Sequence, residues 1–442
     1  VAVVIPFRAW RYHTDTLDGY KDQLAPPYDV IGPELQDELY GRSPHNVVRV
    51  DLPREKAEPG EEKNRYARAA ATLKHWKKEG VLVRDPVPKV TVVEEDFTGP
   101  DGVKRTRRGI LACLRLEEFS AGVVFPHEAT LSGPKEDRYR LMDPTTMNLS
   151  PVFLLYSSPQ DAIMTAWNEA AGGQEPAAAF PAPGQTFIRL WPTSEPALIQ
   201  ALSWELAKAK LFIADGHHRY ETVLKYRKAR RAEGLKSGPW EYGLVYLANM
   251  DDPGLAIFGT HRLVRDLPAE TVESLPEILS PAFQVEELTT DPAAAELSIR
   301  RYLESQYTSG GALGVYVPQS RKALGIKLMD ENALAKAVDP ARTDAYRHLD
   351  VTVLHSLILE NMLNITPDNV AAGEHVSFHK SWGDAMGALE SGDAQVAFFM
   401  NPTRLEQVKE VAGSGERMPQ KSTYFYPKLP TGLAFHELRD LG

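Results

Sequence analysis

The sequence predicts a mixed α/β protein of two or three domains, and three observations predict it. Apolar strand-like runs stand at 152–156 and at 211–214, the second between segments with helical spacing. Two strand-like runs, 89–97 and 106–116, bracket Gly99-Pro100-Asp101-Gly102 as a hairpin would. From 268 to 330 a helix, a strand, a helix and two strands alternate. A chain of 442 residues is too long for one small core.

Taken in order, Val3-Val4-Ile5 form a short strand that runs into Arg8, Trp10, Arg11 and Tyr12. Pro26-Pro27-Tyr28-Asp29 is a stiff turn, because each proline fixes its own φ and restricts its predecessor. Residues 62–79 place Tyr66, Ala69, Ala70, Leu73 and Trp76 at helical spacing, with the aromatics facing a core. A polar stretch at 125–140 interrupts the regular structure, and 171–185, rich in Ala, Gly and Pro, reads as a surface loop. The helix at 195–209 carries Leu198, Leu202 and Leu206 on one side. A strand at 242–250, a helix at 349–363 and a strand at 394–401 follow. The polar–aromatic run 418–428 is expected to fray as a terminal segment. These readings give three segments: an α+β segment 1–120, a central catalytic segment 121–265 and a C-terminal α/β segment 266–442. The last of these ends in a Lys-Ser-Thr-Tyr stretch expected to return to the site.

The bulk composition narrows the function. With 43% hydrophobic and 25% charged residues the chain has the make-up of a globular protein. A net charge of −10 argues against nucleic acid as the main partner, because binding phosphate backbones takes a basic face. The single cysteine, Cys113, excludes an intrachain disulfide and a cysteine metal cluster, as expected of a cytoplasmic protein. No apolar run approaches the roughly 18 residues of a membrane span, and no secretory leader is visible. The chain begins at Val1, so an initiator methionine or short leader is expected ahead of it.

The densest chemistry lies at Asp215-Gly216-His217-His218-Arg219, where four apolar residues deliver reactive groups to the start of a helix. The backbone N–H groups of such a turn point at an anion, and Gly216 permits close approach. Arg219 adds a guanidinium, the histidines titrate near neutrality, and Asp215 can orient an imidazole or hold a metal. Four further clusters carry charge: Arg8 and Arg11; Tyr28 and Asp29; His127 and Glu128 with Lys135 and Arg138; and Lys421, Ser422 and Thr423 with Lys428. The plain alternatives are a solvated edge for the first, a merely rigid turn for the second, and a charged surface segment for the last two. His217 and His218 are adjacent and their side chains diverge, so a zinc site is poorly supported. Mg²⁺ needs only one or two carboxylates beside substrate phosphates, which Asp215 and Glu128 can supply. The chain lacks the G-x-G-x-x-G and G-x-S-x-G patterns, and Gly133-Pro134-Lys135 lacks the glycine frame of a Walker loop. Together these clusters favour handling a small, highly anionic molecule.

Five segments carry a family resemblance across essentially the whole chain. They are Pro6-Phe7-Arg8, Pro26-Pro27-Tyr28-Asp29-Val30-Ile31, Pro126-His127-Glu128, Ala214-Asp215-Gly216-His217-His218-Arg219 and the run from Lys421 to Lys428. In these the sequence resembles the family called domain of unknown function 1015. The Asp-Gly-His-His-Arg turn is also similar to that of the ParB/sulfiredoxin-like fold, which includes free-serine kinases. The resemblance implies a ParB/sulfiredoxin-like core with an added C-terminal α/β domain, and a phosphotransferase making O-phospho-L-serine from L-serine, with pyrophosphate as donor. Carried over, Asp215, His217, His218 and Arg219 form the phosphate-binding and catalytic turn. Glu128 or Asp29 is then the general base, and Lys135, Arg138, Lys421 and Lys428 neutralise the donor. An ATP- or ADP-dependent serine kinase, a ParB-like nucleotide-binding regulator and a phosphate-ligand sensor without turnover are the alternatives. The regulator predicts a basic DNA-binding face and a helix-turn-helix domain, neither of which the sequence displays.

Overall fold

The structure is a computed structural model that describes residues 1–56, 62, 64–128 and 132–439. It divides into two compact units: Val1–Pro126, Thr130–Ala256 and Tyr426–Gly442 form the first, and His127–Ala129 with Ile257–Phe425 the second. Both are mixtures of helix and strand, as the sequence predicts.

A nine-stranded mixed sheet organises the first unit. In spatial order it runs Val124–Phe125, Leu211–Asp215, Val152–Tyr156, Tyr242–Asn249, Lys104–Arg115, Val90–Thr98, Thr186–Thr193 and Ala178–Ala182, with Val4–Ile5 against Lys104–Arg115. Two pairs are parallel, Leu211–Asp215 with Val124–Phe125 and Tyr242–Asn249 with Val152–Tyr156. Val152–Tyr156 is buried at every position, as a strand covered on both faces must be. Leu198, Leu202 and Leu206, four residues apart, present one buried face of the helix Pro196–Lys208. They join Val152, Leu154 and Ile213 in one core cluster, where truncation of any one to alanine costs about 2–5 kcal/mol.

The second unit holds a six-stranded antiparallel sheet in the order Phe283–Thr289, Lys322–Leu328, Ala312–Val317, Val396–Met400, His261–Val264 and Val376–His379. Alternation along its strands supplies a core on each face. Val264, Val315 and Phe398 belong to one cluster, and Leu263, Tyr316 and Phe399 to the other.

Several expectations change. The sheet crosses the expected division at 120/121, because Lys104–Arg115 pairs with Tyr242–Asn249, so those two segments share one body. The chain leaves that body at Ala256 and rejoins it at Tyr426. The expected loop 171–185 contains the strand Ala178–Ala182, whose Ala178 and Phe180 are buried despite the segment's Ala-, Gly- and Pro-rich composition. The polar stretch at 125–140 contains the start of the helix Ser132–Thr145; Ala129, Thr130 and Leu131 lie outside the described residues. The helix expected over 62–79 is Arg65–Lys78, capped by the Asn64 side chain, with residue 63 outside the described residues. The run 418–428 does not fray: Ser422 and Phe425 are buried and Tyr424–Tyr426 is a strand. Among the described residues no helix is long and apolar enough to cross a membrane.

Candidate functional site

The strand Leu211–Asp215 enters the first unit's sheet as the buried run Leu-Phe-Ile-Ala and breaks register between Ile213 and Asp215. That bulge turns the strand end out of the ladder. Gly216 follows at φ +92°, a left-handed conformation open to glycine at little cost. The helix His217–Ala232 starts immediately after it, so its first-turn N–H groups face the strand end. Tyr220 fixes this start, its hydroxyl donating to the Glu117 carbonyl at 2.8 Å and its ring stacking on Phe119 at 5.4 Å.

A linked set of charges surrounds the turn. Arg219 donates to Asp215 Oδ2, to the Pro151 carbonyl and, at 3.1 Å, to Ser150 Oγ. Lys428 lies 3.2 Å from Asp215 Oδ1 and pairs with Asp29 Oδ2. Burial alone raises the carboxyl pKa of Asp215, but the Lys428 ammonium and the Arg219 guanidinium outweigh it and hold the group well below the usual carboxylate range. For Lys428 burial works downward, while Asp215 and Asp29 push its pKa above that of an ordinary lysine. Burial lowers the pKa of His218; Lys135 and Arg219 add to this, while Glu221 and Asp29 oppose it. Its imidazole is therefore neutral at neutral pH and open to a proton. His217 is buried, and its charge contributes to lowering Asp215. Lys135 pairs with Glu221 Oε2 at 2.8 Å, one turn along the helix from His217.

Beside this set is a cavity of about 30 Å³ lined by Tyr28, Asp51, Arg138, Ser150 and Arg219, among others. Arg138 reaches Asp51, pairs with Asp137 at 2.6 Å and covers the Tyr28 ring at 4.1 Å. Burial pushes the Asp51 carboxyl pKa up, with Arg138 and Arg219 opposing.

In the first unit the fold thus gathers Tyr28, Asp29, Lys135, Arg138, Asp215, Gly216, His217, His218, Arg219 and Lys428 around one helix start and the cavity beside it. Three expected ligand-binding arginines have close protein partners. Arg219 is turned inward and locks Asp215, and Arg138 is held by Asp51 and Asp137. Arg11 is buried with Asp85 at 3.0 Å and Thr91 at 2.7 Å. Arg8 is exposed and donates to the Asp85 carbonyl at 2.9 Å.

The other expected residues belong to the second unit and form a group of their own. His127 Nε2 lies 2.7 Å from Thr423 Oγ1 and 3.8 Å from Glu128 Oε1. Ser422 is buried and donates to the Pro419 carbonyl. The Lys421 ammonium sits 4.4 Å over the Phe378 ring. Behind them Arg262, which is buried, donates to the carbonyls of Gln420 at 3.2 Å and Lys421 at 3.0 Å. Burial lowers its pKa to about 9, with Glu128 opposing.

Asp51, Ser150 and Arg262 escaped the sequence reading. Asp51 and Arg262 sit within apolar-patterned segments, where a charged residue was a usable signal; Ser150 gave none.

The family model described as "Protein of unknown function (DUF1015)" matches residues 4–352. The chain belongs to this family. Comparison of this member with curated proteins finds no match. Among solved structures, a mutant free serine kinase in complex with ADP aligns at 13% identity and a TM-score of 0.36, covering 72% of this chain and 89% of that one. A conserved hypothetical protein from Pyrococcus furiosus aligns at 15% identity and 0.33, covering 71% and 91%. SbnI with a C-terminal truncation, from Staphylococcus aureus, aligns at 10% and 0.33, covering 72% and 84%. With all three TM-scores below one half, membership rests on the family model.

Proposed function

We propose that this protein is a phosphotransferase that phosphorylates the hydroxyl of free L-serine, with pyrophosphate as donor. The observation that carries the reading is the placement of Lys428 and neutral His218 at the start of the helix His217–Ala232, with Asp215 holding Lys428 from behind. A helix start beside an ammonium attracts a phosphorylated donor. Phosphoryl transfer asks a protein mainly to position groups and neutralise charge.

In this reading the donor's phosphates lie against the first-turn N–H groups and Lys428. His218 takes the proton as the serine oxygen attacks phosphorus, and the bond from phosphorus to the leaving phosphate breaks. The proton then leaves with inorganic phosphate. Asp215 and Arg219 act as positioning residues. The acceptor is carried by the resemblance of the Asp215–Arg219 turn to that of free-serine kinases. A donor without a base is favoured by the Arg138 guanidinium over Tyr28, which covers the ring face a purine could stack on.

Mg²⁺ does not fit as a direct ligand of Asp215, because Arg219 and Lys428 engage its two oxygens. Among the described residues no group of three or more His, Cys, Asp or Glu could hold a metal. Mg²⁺ would then be held chiefly through the donor phosphates, whose charge it would offset.

The test is incubation with L-serine and, in separate tubes, pyrophosphate, ATP or ADP, with and without Mg²⁺, followed by mass spectrometry for O-phosphoserine. Product with pyrophosphate supports acceptor and donor together. Product only with a nucleotide keeps the acceptor and replaces the donor. No phosphoserine in any tube sinks the reading.

A further inference from the structure

The second unit contains a cleft of about 350 Å³ lined by none of the residues assigned above. That volume falls within the roughly 300–1,000 Å³ of small-molecule pockets. Its wall includes Gly310, Gly311, Lys327, His348, Arg404 and Glu410.

The floor is rigid. Gly310 and Gly311 have φ of +62° and +64°, and Asp350 Oδ1 accepts the Gly311 N–H at 2.6 Å. Lys327 rises from the strand Lys322–Leu328 and donates to Ser309 Oγ at 2.8 Å and to the Gly310 carbonyl. Arg404, at the start of the helix Leu405–Gly413, donates to the Thr308 carbonyl at 2.8 Å.

The charges on this wall are unevenly compensated. His348 has Glu331 at 3.0 Å. Lys327 and Arg404 hydrogen-bond only to neutral oxygens among the described residues and form no ion pair there, while the buried Asp350 carboxyl acts on both through space. Burial lowers the Lys327 pKa, with Asp350 pulling it partly back. Glu410 lines the same cleft and, among the described residues, has no cation paired with it. Two cations and one acid in this state complement a ligand that has two anionic groups and one ammonium.

We propose that this cleft binds an α-amino acid bearing a second acidic group, either a phosphate ester or a carboxylate. Lys327 and Arg404 take the two acidic groups, and Glu410 takes the ammonium. A preformed wall limits the ordering cost of binding. The proposal stands on the second unit alone and does not depend on the phosphotransfer reading.

The test is calorimetric titration of the full chain carrying Lys428→Met, which disables the helix-start site of the first unit. O-phospho-L-serine, L-glutamate, L-serine and inorganic phosphate are the probes. One of the two acidic amino acids is expected to bind at one equivalent, at least tenfold more tightly than L-serine or phosphate, and which of them does so identifies the second group. Adding Arg404→Gln is expected to weaken that binding at least tenfold. Adding Glu410→Gln is expected to weaken it while leaving the affinity for phosphate unchanged. Absence of binding by both acidic amino acids, phosphate binding as tightly as either, or full affinity in both added variants would overturn the proposal. Should Lys428→Met not fold, Asp29→Asn replaces it. No turnover in the unsubstituted chain, with this binding retained in the variant, counts against the phosphotransferase alone, and turnover in the unsubstituted chain without this binding counts against the cleft alone.

Discussion

The guanidinium of Arg107 donates to the Pro427 carbonyl at 2.8 Å, one residue ahead of Lys428. Arg107 is fully buried in the strand Lys104–Arg115, and its Nε donates to Glu95 Oε2 at 2.8 Å. The Tyr246 hydroxyl donates to that same oxygen at 2.9 Å. Gly109 makes room for the Tyr246 ring, since a Cβ there would stand 2.5 Å from it. A buried polar relay thus runs from the middle of the sheet to the backbone that presents Lys428 to Asp215. Both donors converge on Oε2, and Glu95 Oε1 is buried without a hydrogen-bond partner, so the relay is tightly held on one oxygen only.

Removing Arg107 should therefore act twice. Arg107→Met leaves Glu95 buried without its cation, at a cost of about 3–5 kcal/mol. The double variant Glu95→Gln/Arg107→Met removes the stranded charge and should recover much of that stability in urea melts. It still leaves the Pro427 carbonyl without its donor, so phosphoserine formation should stay low, with KM for the donor raised more than kcat falls. Full turnover in a restabilised double variant would show that Arg107 does not position Lys428.

Gly216→Ala is expected to damage the turn on two counts. At φ +92° an L-residue is strained by about 1–2 kcal/mol, and its Cβ would stand 2.8 Å from Arg219 Nε. Arg219 must then swing off Asp215, so both melting temperature and turnover should fall. An unchanged melting temperature would mean that the turn relaxes freely.

The Asp215–Lys428 pair predicts a stability plateau with two edges. The carboxyl of Asp215 has its pKa depressed in the folded state, so its contribution is present above the unfolded value of about 3.9. It is lost as pH falls through the lower folded value. The ammonium of Lys428 has its pKa raised, so its contribution is full below the unfolded value of about 10.4. It is lost as pH rises through the higher folded value. Lys428→Met should lower stability across the plateau and weaken both edges in urea melts from acid to alkaline pH. Edges identical to those of the unsubstituted chain would place the pair outside the folding energetics.

The strand–turn–helix at Asp215 was legible because its signals are local: an apolar run, a glycine and a crowd of titratable residues in sequence. The helix Pro196–Lys208 and the hairpin at Gly99–Gly102 were legible for the same reason, since periodicity and turn chemistry are read within a few residues. What escaped depends on distant partners. Arg138 and Arg219 read as free cations until Asp51, Asp137 and Ser150 appear beside them. Arg107 could not be tied to Lys428, because 320 positions separate it from the carbonyl it holds. The run 418–428 looked ready to fray on composition alone, yet it spans two units: Thr423 meets His127 in the second and Lys428 meets Asp215 in the first.

Asp350 offers a test of the second unit by itself. Burial lifts its carboxyl pKa to about 6, while the Gly311 N–H and the Lys327 ammonium oppose the shift. The folded value therefore lies above the unfolded one, about 3.9, and the native state binds the proton more tightly. Its contribution to stability is full below about pH 3.9 and is lost as pH rises through about 6. Asp350→Asn keeps an oxygen for the Gly311 N–H and removes the titration. The variant should hold its urea midpoint between pH 4.5 and 7.5, where the unsubstituted chain loses part of its own. A carboxyl resonance of Asp350 titrating near 4, or parallel pH profiles for the two chains, would mean that water reaches the group and that the turn at Gly310 and Gly311 is less enclosed than its packing requires.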